Sequence, residues 1–471
     1  MNEIEFFLQK AASVIPSRRQ LNWFDMEMYA FVHFGVNTYT NREWGDGTED
    51  PSLFNPVKFD PDQWVHAVSS AGMKGLILTA KHHDGFCLWP SAYTEHSVKN
   101  ASVRTDIVGA VAEACRKGGI KFGIYLSPWD RNCPLYGSEA YNDYYCHQLE
   151  ELLTSYGDLF CVWFDGACGE GPNGKKQVYD FPRYIRLIRQ LQPGAVIFND
   201  HGPDIRWVGN ESGSSRHAEW AVVPSELCDL SEIQTGPGPL SGDLSYMYNS
   251  DPDIGTLTNI LYSKGLVFCP SETDMSIRPG WFYHPDEEPH SLERLWDTYL
   301  RTVGGNTCLN LNIPPTPDGL LDEKDVKRLQ EFGDLIRKSF SCEITGDASV
   351  SETVVSSTQK IISFRFDHPV DISYVTLQEN LQTGQRVENF QLRASLYRGE
   401  EKVSEKATVY QGTTIGHKKI CPLLRKRRNR TTDTEPLALR TDYLELVITA
   451  SRDEADLLSV RIWAKPQSSN N

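Results

Sequence analysis

The sequence has 471 residues with a formal net charge of −16, and 39% of the residues are hydrophobic and 11% aromatic. That length exceeds what one ordinary core fills, so two domains are expected in a globular chain. The acidic balance argues against a nucleic-acid surface, and no stretch approaches the ~20 apolar residues of a membrane span.

Strands and helices alternate along the first 200 residues. Short apolar runs rich in β-branched and aromatic residues predict strands at Tyr29–Gly35, Gly75–His83, Ile120–Leu126, Leu159–Asp165 and Ala195–Asp200. Helical spacing predicts helices between them, near Pro61–Val68, Asp106–Arg116, Glu139–Tyr156 and Phe181–Leu191. Repeated units of this kind require parallel strands joined by right-handed crossovers.

A closed barrel and an open doubly wound sheet both satisfy this alternation. No G-x-G-x-x-G motif follows the first strand, which disfavours a dinucleotide fold. Polar and aromatic side chains instead recur just past the strand ends, at His33, His82, His83, Trp129, Asp165 and Asp200. Because (β/α)8 barrels keep their chemistry at the carboxyl ends of their strands, this pattern predicts an α/β chain with a (β/α)8-type barrel.

The middle of the chain is less regular. Residues 202–255 are rich in Gly, Pro, Ser and Asp, and so long a loop region in a compact domain is usually functional. Regular patterns return in the strand Gly265–Cys269, the helix Leu292–Arg301, the strand Cys308–Asn312 and the helix Glu323–Lys338.

After Phe340 the pattern changes to short alternating strands. They are clearest at Ile361–Phe366, Tyr374–Leu377 and Tyr443–Ile448. This pattern predicts an antiparallel β-sandwich, with a barrel domain over residues 1–340 and the sandwich over residues 341–471. The basic run Arg425–Arg428 is expected to be a solvated loop, with a docking patch for anionic glycans or lipids as the weaker alternative.

Asp165 ends a buried apolar run and precedes Gly166. Since side chains alternate along a strand, Trp163 shares its face, whereas Val162 and Phe164 point the other way. A carboxylate above an indole floor suits a ligand site, although an Asp before a Gly can also simply cap the next turn.

Further polar clusters follow the first two strands, at His33, Glu43-Trp44 and Lys81-His82-His83-Asp84-Gly85. Adjacent residues on a strand point to opposite faces, so His82 and His83 need a turn between them to share a metal ion, and a metal site is the weaker alternative. Aromatic rings beside His, Glu and Asp suit a sugar, whose apolar faces pack on rings while its hydroxyls need donors and acceptors. The alternative is that these side chains have only a structural role, as polar groups that hydrogen-bond to one another at the barrel rim.

Hydrolysis of a glycoside usually requires two carboxyl groups, and one of them acts as an acid. Asp165 is the first candidate. Glu211, Glu219 and Glu226 in the irregular region are candidates for the second, and spacing alone does not choose among them.

Six motifs in order resemble glycoside hydrolase family 29, the α-L-fucosidases, over nearly all of the first 340 residues. They are His33-Phe34-Gly35, Glu43-Trp44-Gly45, Lys81-His82-His83-Asp84-Gly85-Phe86, Trp163-Phe164-Asp165-Gly166, Arg278-Pro279-Gly280-Trp281-Phe282-Tyr283-His284 and Gly304-Gly305-Asn306 with Leu311-Asn312-Ile313-Pro314-Pro315.

The resemblance implies a retaining exo-hydrolase that acts on terminal α-L-fucose. Asp165 matches the nucleophile of the family. Residues matched to fucose binding are His33, Glu43, Trp44, His82, His83, Tyr125 and Trp281, with Trp163 as the floor. The segment Trp207–Glu211 resembles the subgroup that prefers α-1,3 and α-1,4 linkages in branched glycans, which favours Glu211 as the acid/base, with Glu219 second.

The expected substrates are fucosylated oligosaccharides or glycoproteins, with no cofactor and no metal. The C-terminal region resembles a galactose-binding-like domain, for which a structural role is expected. The rival classes are a non-catalytic fucose-binding protein, a metal-dependent barrel hydrolase and a barrel hydrolase for another sugar. Met1–Leu8 shows no signal-peptide pattern, yet glycan-degrading enzymes commonly act outside the cytoplasm, so a periplasmic or secreted enzyme is expected.

Overall fold

The computed structural model describes residues 3–217, 219–228, 254–261, 263–423 and 438–465. The basic run Arg425–Arg428 lies outside these ranges, so its expected place in a loop stays a prediction. Within them, no helix combines the length and the hydrophobicity that a bilayer crossing requires.

The first part of the chain contains ten strands. They are β1 (Met28–Val32), β2 (Gly75–Lys81), β3 (Lys121–Leu126), β4 (Leu159–Trp163), β5 (Val196–Phe198), β6 (Arg206–Trp207), β7 (Val222–Pro224), β8 (Leu266–Phe268), β9 (Ser271–Ser276) and β10 (Cys308–Asn312) in the described ranges. Eight of them form one parallel sheet in the order β5-β4-β3-β2-β1-β10-β9-β6. A parallel bridge between Phe198 and Ile205 connects β5 to the start of β6 and closes the sheet. The predicted (β/α)8-type fold is confirmed.

Helices surround this sheet or precede it. They are α1 (Glu3–Ala12), α2 (Arg18–Phe24), α3 (Val36–Thr40), α4 (Pro61–Ser70), α5 (Ile107–Gly118), α6 (Glu139–Ser155), α7 (Phe181–Leu191), α8 (Leu257–Ile260), α9 (Leu292–Thr302) and α10 (Glu323–Ser339). Local signals set their ends: Asp106 caps α5 by accepting a hydrogen bond from the Gly109 amide, and Gly119 ends it with a φ of 71°, a left-handed conformation that glycine adopts without steric cost.

The core has two layers separated by the barrel wall. Along β4, Cys161 and Trp163 point into the barrel interior, where aromatic side chains predominate. Val162 and Phe164 point outward and pack against the helices. The predicted alternation at this strand is therefore confirmed.

The strand predicted at Gly265–Cys269 is present as β8, but it pairs antiparallel with β7 outside the barrel. The barrel strand that follows, β9, has no counterpart in the prediction. Its sequence, Ser-Glu-Thr-Asp-Met-Ser, is polar, yet all six residues are buried. Apolar patterning misses such a strand because buried polar side chains that find hydrogen-bond partners are stable there.

The C-terminal region is antiparallel. Its strands are β11 (Ser349–Ser356), β12 (Gln359–Glu379), β13 (Val387–Arg398), β14 (Glu401–Gly412), β15 (Lys419–Pro422), β16 (Leu439–Ser451) and β17 (Leu457–Ala464). Two of the predicted strands are parts of the 21-residue β12. It pairs with β11 over its first half, with β16 on both sides of a register break between Arg365 and Val370, and with β15 and β17 over its second half. Apolar side chains from both halves share one core, as expected for the predicted antiparallel domain. The boundary at residues 340 and 341 stays a prediction.

Candidate active site

A cavity of about 260 Å³ opens at the carboxyl ends of the barrel strands. All ten residues that the sequence singled out for the site line it, namely His33, Glu43, Trp44, His82, His83, Tyr125, Trp163, Asp165, Glu211 and Trp281. A larger cleft of about 960 Å³ lies at the opposite end, where β3 and β4 begin. It contains none of these residues, so the smaller cavity is the candidate site.

Asp165 lies two residues beyond the end of the buried β4, and its two carboxylate oxygens have different environments. Its Oδ1 accepts a hydrogen bond of 2.7 Å from the Ala167 amide, so it does cap the following turn. Its Oδ2 accepts a hydrogen bond of 3.0 Å from the Tyr125 hydroxyl and lies 3.9 Å from Nε2 of His83. Asp165 therefore caps the turn with one oxygen and lines the cavity as well.

Trp163 forms the floor beside Asp165. Its ring stacks on Phe198 with centroids 4.1 Å apart and on Tyr125 with centroids 5.3 Å apart. The indole Nε1 donates a hydrogen bond of 2.7 Å to Oε1 of Glu272, which is fully buried. Packing and one hydrogen bond together fix the orientation of this ring.

Three histidines line one wall, and burial keeps them neutral. It lowers the pKa of His33 to about 4 and lowers those of His82 and His83, with neighbouring histidines adding to the effect at His82. Nδ1 of His33 lies 2.8 Å from the Asn312 amide oxygen. The donor position is therefore used within the protein, and Nε2 is left as an acceptor.

His82 and His83 differ in their partners. Nδ1 of His83 lies 2.7 Å from the Ser127 hydroxyl, which itself donates to a backbone carbonyl. Nδ1 of His82 has no hydrogen-bond partner among the described residues, and the His82 ring stacks on Tyr125. The two rings therefore use different partners. In the part of the chain that the structure describes, no group of three or more candidate metal ligands is present.

Glu43 and Trp281 lie close together across the mouth of the cavity. The Glu43 carboxylate accepts hydrogen bonds from the amides of Trp281, at 2.8 Å, and Phe282, at 3.1 Å. Trp44 is 58% exposed and meets the His83 ring edge-on. An exposed indole at this position provides an apolar surface for a ligand that enters the cavity.

Glu211 is the second carboxyl at the cavity mouth. It follows β6, and its Oε2 accepts a hydrogen bond of 3.3 Å from Nε1 of Trp281. Partial burial raises the pKa of Glu211, and the nearby charges of Asp165 and Glu43 raise it further. A carboxyl in this environment favours the protonated form that an acid needs.

The other two glutamates have different environments. Glu219 is buried against Arg206 and Arg216, and these two guanidinium groups lower its pKa although burial alone would raise it. Glu226 accepts a hydrogen bond of 2.6 Å from the Lys264 amide. Neither side chain lines the cavity.

Comparisons with known proteins address the family of this chain. The model of the α-L-fucosidase family matches residues 10–222 and 248–339. The chain is 36% identical over 460 residues to α-L-fucosidase 1 of Arabidopsis thaliana, covering 91% of this chain and 86% of that protein. It is 34% identical over 361 residues to human tissue α-L-fucosidase, covering 68% of each. This chain belongs to the α-L-fucosidases, glycoside hydrolase family 29.

Solved structures share the architecture of this fucosidase over its whole length. A putative α-L-fucosidase from Bacteroides ovatus superposes with a TM-score of 0.85 at 40% identity, over 100% of this chain and 78% of that one. A Ruminococcus gnavus family 29 fucosidase in complex with fucose superposes with a TM-score of 0.81 at 26% identity, over 97% and 96%. The family that the six motifs predicted is confirmed, and so is its glycoside hydrolase activity.

The fucosidase also has carboxyls near the site that the sequence did not assign to it. Asp200 and Asp274 line the cavity, and Glu272 lies beneath Trp163. Burial raises the pKa of Asp200 to about 7, with the charges of Asp165 and Glu211 contributing, and raises that of Asp274 well above its usual range. The position of Asp200 at the end of a predicted strand could have indicated a place in the site. Glu272 and Asp274 lie on β9, which the apolar pattern of the sequence did not predict.

Proposed function

We propose that the fucosidase removes terminal α-L-fucose with retention of configuration, with Asp165 as the nucleophile and Glu211 as the acid/base. The observation that carries the proposal is the contrast between two carboxyls in one cavity. Asp165 accepts hydrogen bonds from the Tyr125 hydroxyl and the Ala167 amide. Glu211 has no cation beside it among the described residues, and its pKa is raised.

In the first step, the Asp165 carboxylate attacks the anomeric carbon while protonated Glu211 donates its proton to the leaving oxygen. The bond between the fucose and the leaving saccharide breaks, and a fucosyl-aspartate forms. In the second step, Glu211 removes a proton from water, which displaces Asp165 and releases fucose. Retention requires the two carboxyl groups to lie about 5–5.5 Å apart, whereas inversion requires about 6.5–9.5 Å.

Neutral side chains and the Glu43 carboxylate are proposed to hold the sugar. The nitrogens of His33, His82 and His83 accept from or donate to fucose hydroxyls, and Glu43 and Trp44 provide a further acceptor and donor. The rings of Tyr125, Trp163 and Trp281 contact the apolar face and edge of the pyranose. No step in this mechanism involves a metal or a cofactor.

We propose further that the enzyme prefers α-1,3- and α-1,4-linked fucose on branched oligosaccharides or glycoproteins. The support is the resemblance of Trp207–Glu211 to that subgroup. A panel of an aryl fucoside, α-1,2-fucosyllactose and Lewis-type trisaccharides tests it, and faster cleavage of the α-1,2 substrate than of the branched ones would refute the preference.

We also propose a periplasmic or secreted location, which cell fractionation tests. A structural role is proposed for the C-terminal domain, and glycan binding to the intact chain tests it.

The nucleophile is tested with Asp165→Asn, which is expected to abolish turnover of every fucoside. Asp158→Asn is the matched control, because Asp158 is exposed at the other end of the same strand. With Asp165→Gly, added azide attacks the anomeric carbon in a single displacement and yields a fucosyl azide of inverted configuration. Substantial activity of Asp165→Asn on an aryl fucoside would rule Asp165 out.

The acid/base is tested with Glu211→Ala, and Glu226→Ala is the control outside the cavity. Glu211→Ala is expected to impair natural oligosaccharides far more than aryl fucosides with acidic leaving groups, because only the former need protonation. Azide is expected to restore turnover on the aryl fucoside and to yield a fucosyl azide of retained configuration, the result of two displacements. Equal losses on both substrate types without an azide product would refute the role of Glu211.

A further inference from the structure

His284 contacts the carboxylate that we propose to bind fucose. Its Nε2 lies 2.7 Å from Oε1 of Glu43, and because a carboxylate only accepts, the imidazole donates here. The other ring nitrogen, Nδ1, lies 2.6 Å from the amide oxygen of Asn41. Both ring nitrogens therefore face oxygen atoms of neighbouring side chains, and the His284 side chain is only 14% exposed.

The loop that carries His284 also carries Trp281, and it bends closely over Glu43. The backbone amides of Trp281 and Phe282 donate to the two carboxylate oxygens, so Oε1 already has two donors while Oε2 has one. The close approach depends on Gly280, since a Cβ atom there would lie 2.7 Å from Oε1 of Glu43 and 2.8 Å from Cδ2 of His284. The remaining capacity of Oε2 is what a sugar hydroxyl can use.

The first residue of this loop is fixed independently. The buried Arg278 guanidinium donates to the Asp325 carboxylate on α10, with Nε 2.8 Å from Oδ2. A second anchor lies at the far end of the loop, where His284 contacts Glu43 and the Tyr283 hydroxyl donates a hydrogen bond of 3.0 Å to Asp322. Trp281, which lies between the two anchors, donates to Glu211.

We propose that His284 is a positioning residue that acts through Glu43, holding the fucose-binding carboxylate and the Trp281 loop in one arrangement. The inference rests on the proposed role of Glu43 in binding fucose. His284 lies behind Glu43 and is absent from the cavity lining. It sets where the Glu43 oxygens point, and through the loop it sets the position of the Trp281 indole at the cavity mouth.

The test uses the full-length enzyme with His284→Phe, which keeps a ring but removes both nitrogens, and His284→Gln, which keeps one N–H donor. His290→Phe is the matched control, because His290 lies on the same segment and its ring contacts Arg294 instead. The measurements are the inhibition constant of free L-fucose, kcat/KM on an aryl fucoside and on a natural oligosaccharide, and the thermal midpoint.

His284→Phe is expected to raise the inhibition constant of fucose roughly tenfold or more, the effect of losing a hydrogen bond to a charged group. It is expected to lower kcat/KM by a similar factor on both substrates, because fucose is common to them, with the thermal midpoint nearly unchanged. His284→Gln recovers much of the affinity, and His290→Phe changes neither constant. A purely structural role would lower the thermal midpoint without this selective loss of fucose affinity.

Two results separate this inference from the role of Glu43 on which it rests. If Glu43→Gln weakens fucose binding while His284→Phe leaves the inhibition constant within about twofold, the role of His284 is refuted and that of Glu43 stands. If Glu43→Gln also leaves the inhibition constant unchanged, the proposed fucose contact itself fails. A loss confined to substrates with poor leaving groups would place His284 with Glu211 instead and would overturn the inference.

Discussion

Glu272 makes the pH dependence of stability testable at a single buried carboxyl. It is fully buried in the barrel interior and accepts hydrogen bonds from the Tyr29 hydroxyl, Nε1 of Trp163 and Nδ2 of Asn310. Glu272→Gln keeps an acceptor, since both Trp163 and Asn310 donate to Oε1. The new amide group can donate to the Tyr29 oxygen. The variant therefore removes the ionisable group while it keeps a hydrogen-bonding group at each position.

The expected magnitude comes from the pKa of Glu272. Burial raises it from the ordinary 4.5 to about 7, against the opposing effect of its hydrogen bonds. Between these values the folded state keeps a proton that the unfolded state releases, so the free energy of unfolding falls as the pH rises. At about 1.4 kcal/mol per pH unit the full loss is about 3 kcal/mol, of which about 2.5 kcal/mol falls between pH 5 and pH 8.

Urea unfolding at pH 5 and pH 8 measures this loss as a difference between the wild type and Glu272→Gln. Relative to the wild type, the variant is expected to gain about 2.5 kcal/mol on going from pH 5 to pH 8, since it has no proton to lose. Glu150→Gln, on the exposed face of α6, is the control and should show no such gain. A wild-type-to-variant difference equal at both pH values would refute the argument that Glu272 is protonated in the fold.

Three further predictions concern neighbouring features. Tyr125→Phe removes the 3.0 Å hydrogen bond to Asp165. Because Asp165 is 24% exposed and water can replace the donor, kcat/KM should fall only about tenfold, the low end for a hydrogen bond to a charged group. An unchanged kcat/KM would show that this bond does not support the proposed nucleophile. Glu219→Gln leaves two buried arginines without their carboxylate and should lower the free energy of unfolding by about 3 kcal/mol, measured by urea unfolding, with no change in the ratio of kcat/KM between natural and aryl substrates; a leaving-group-dependent loss would make Glu219 the acid/base. Dialysis against a chelator should leave kcat unchanged, and recovery of lost activity on adding a divalent metal would favour the metal-dependent class.

Much of the barrel could be predicted from local patterns in the sequence. The helix at Phe181–Leu191 and the strand at Cys308–Asn312 have the predicted bounds. Apolar periodicity and capping residues are local signals, and in these elements tertiary packing agrees with them. The strand β9 was missed because its side chains are polar, and only partners from distant strands make their burial stable.

The residues of the site also fall into those that the sequence predicted and those that needed the structure. Motifs identified Asp165, His33, His82 and His83, because residues just past parallel strands meet at one end of a barrel. The choice between Glu211 and Glu219 could not come from spacing. It depends on which of them meets two arginines in the interior and which faces the cavity.

The sequence by itself determined the family, the alternating architecture and the residues that surround the cavity, because these follow from local periodicity and from motifs read in order. Only the tertiary structure decided the pKa and the hydrogen-bond partners of each group. A pKa depends on burial and on charges brought together across the fold, as at Glu272, whose partners lie on three other barrel strands. The contact between His284 and Glu43 joins residues 241 positions apart, and a contact between such distant residues cannot be predicted from local sequence patterns.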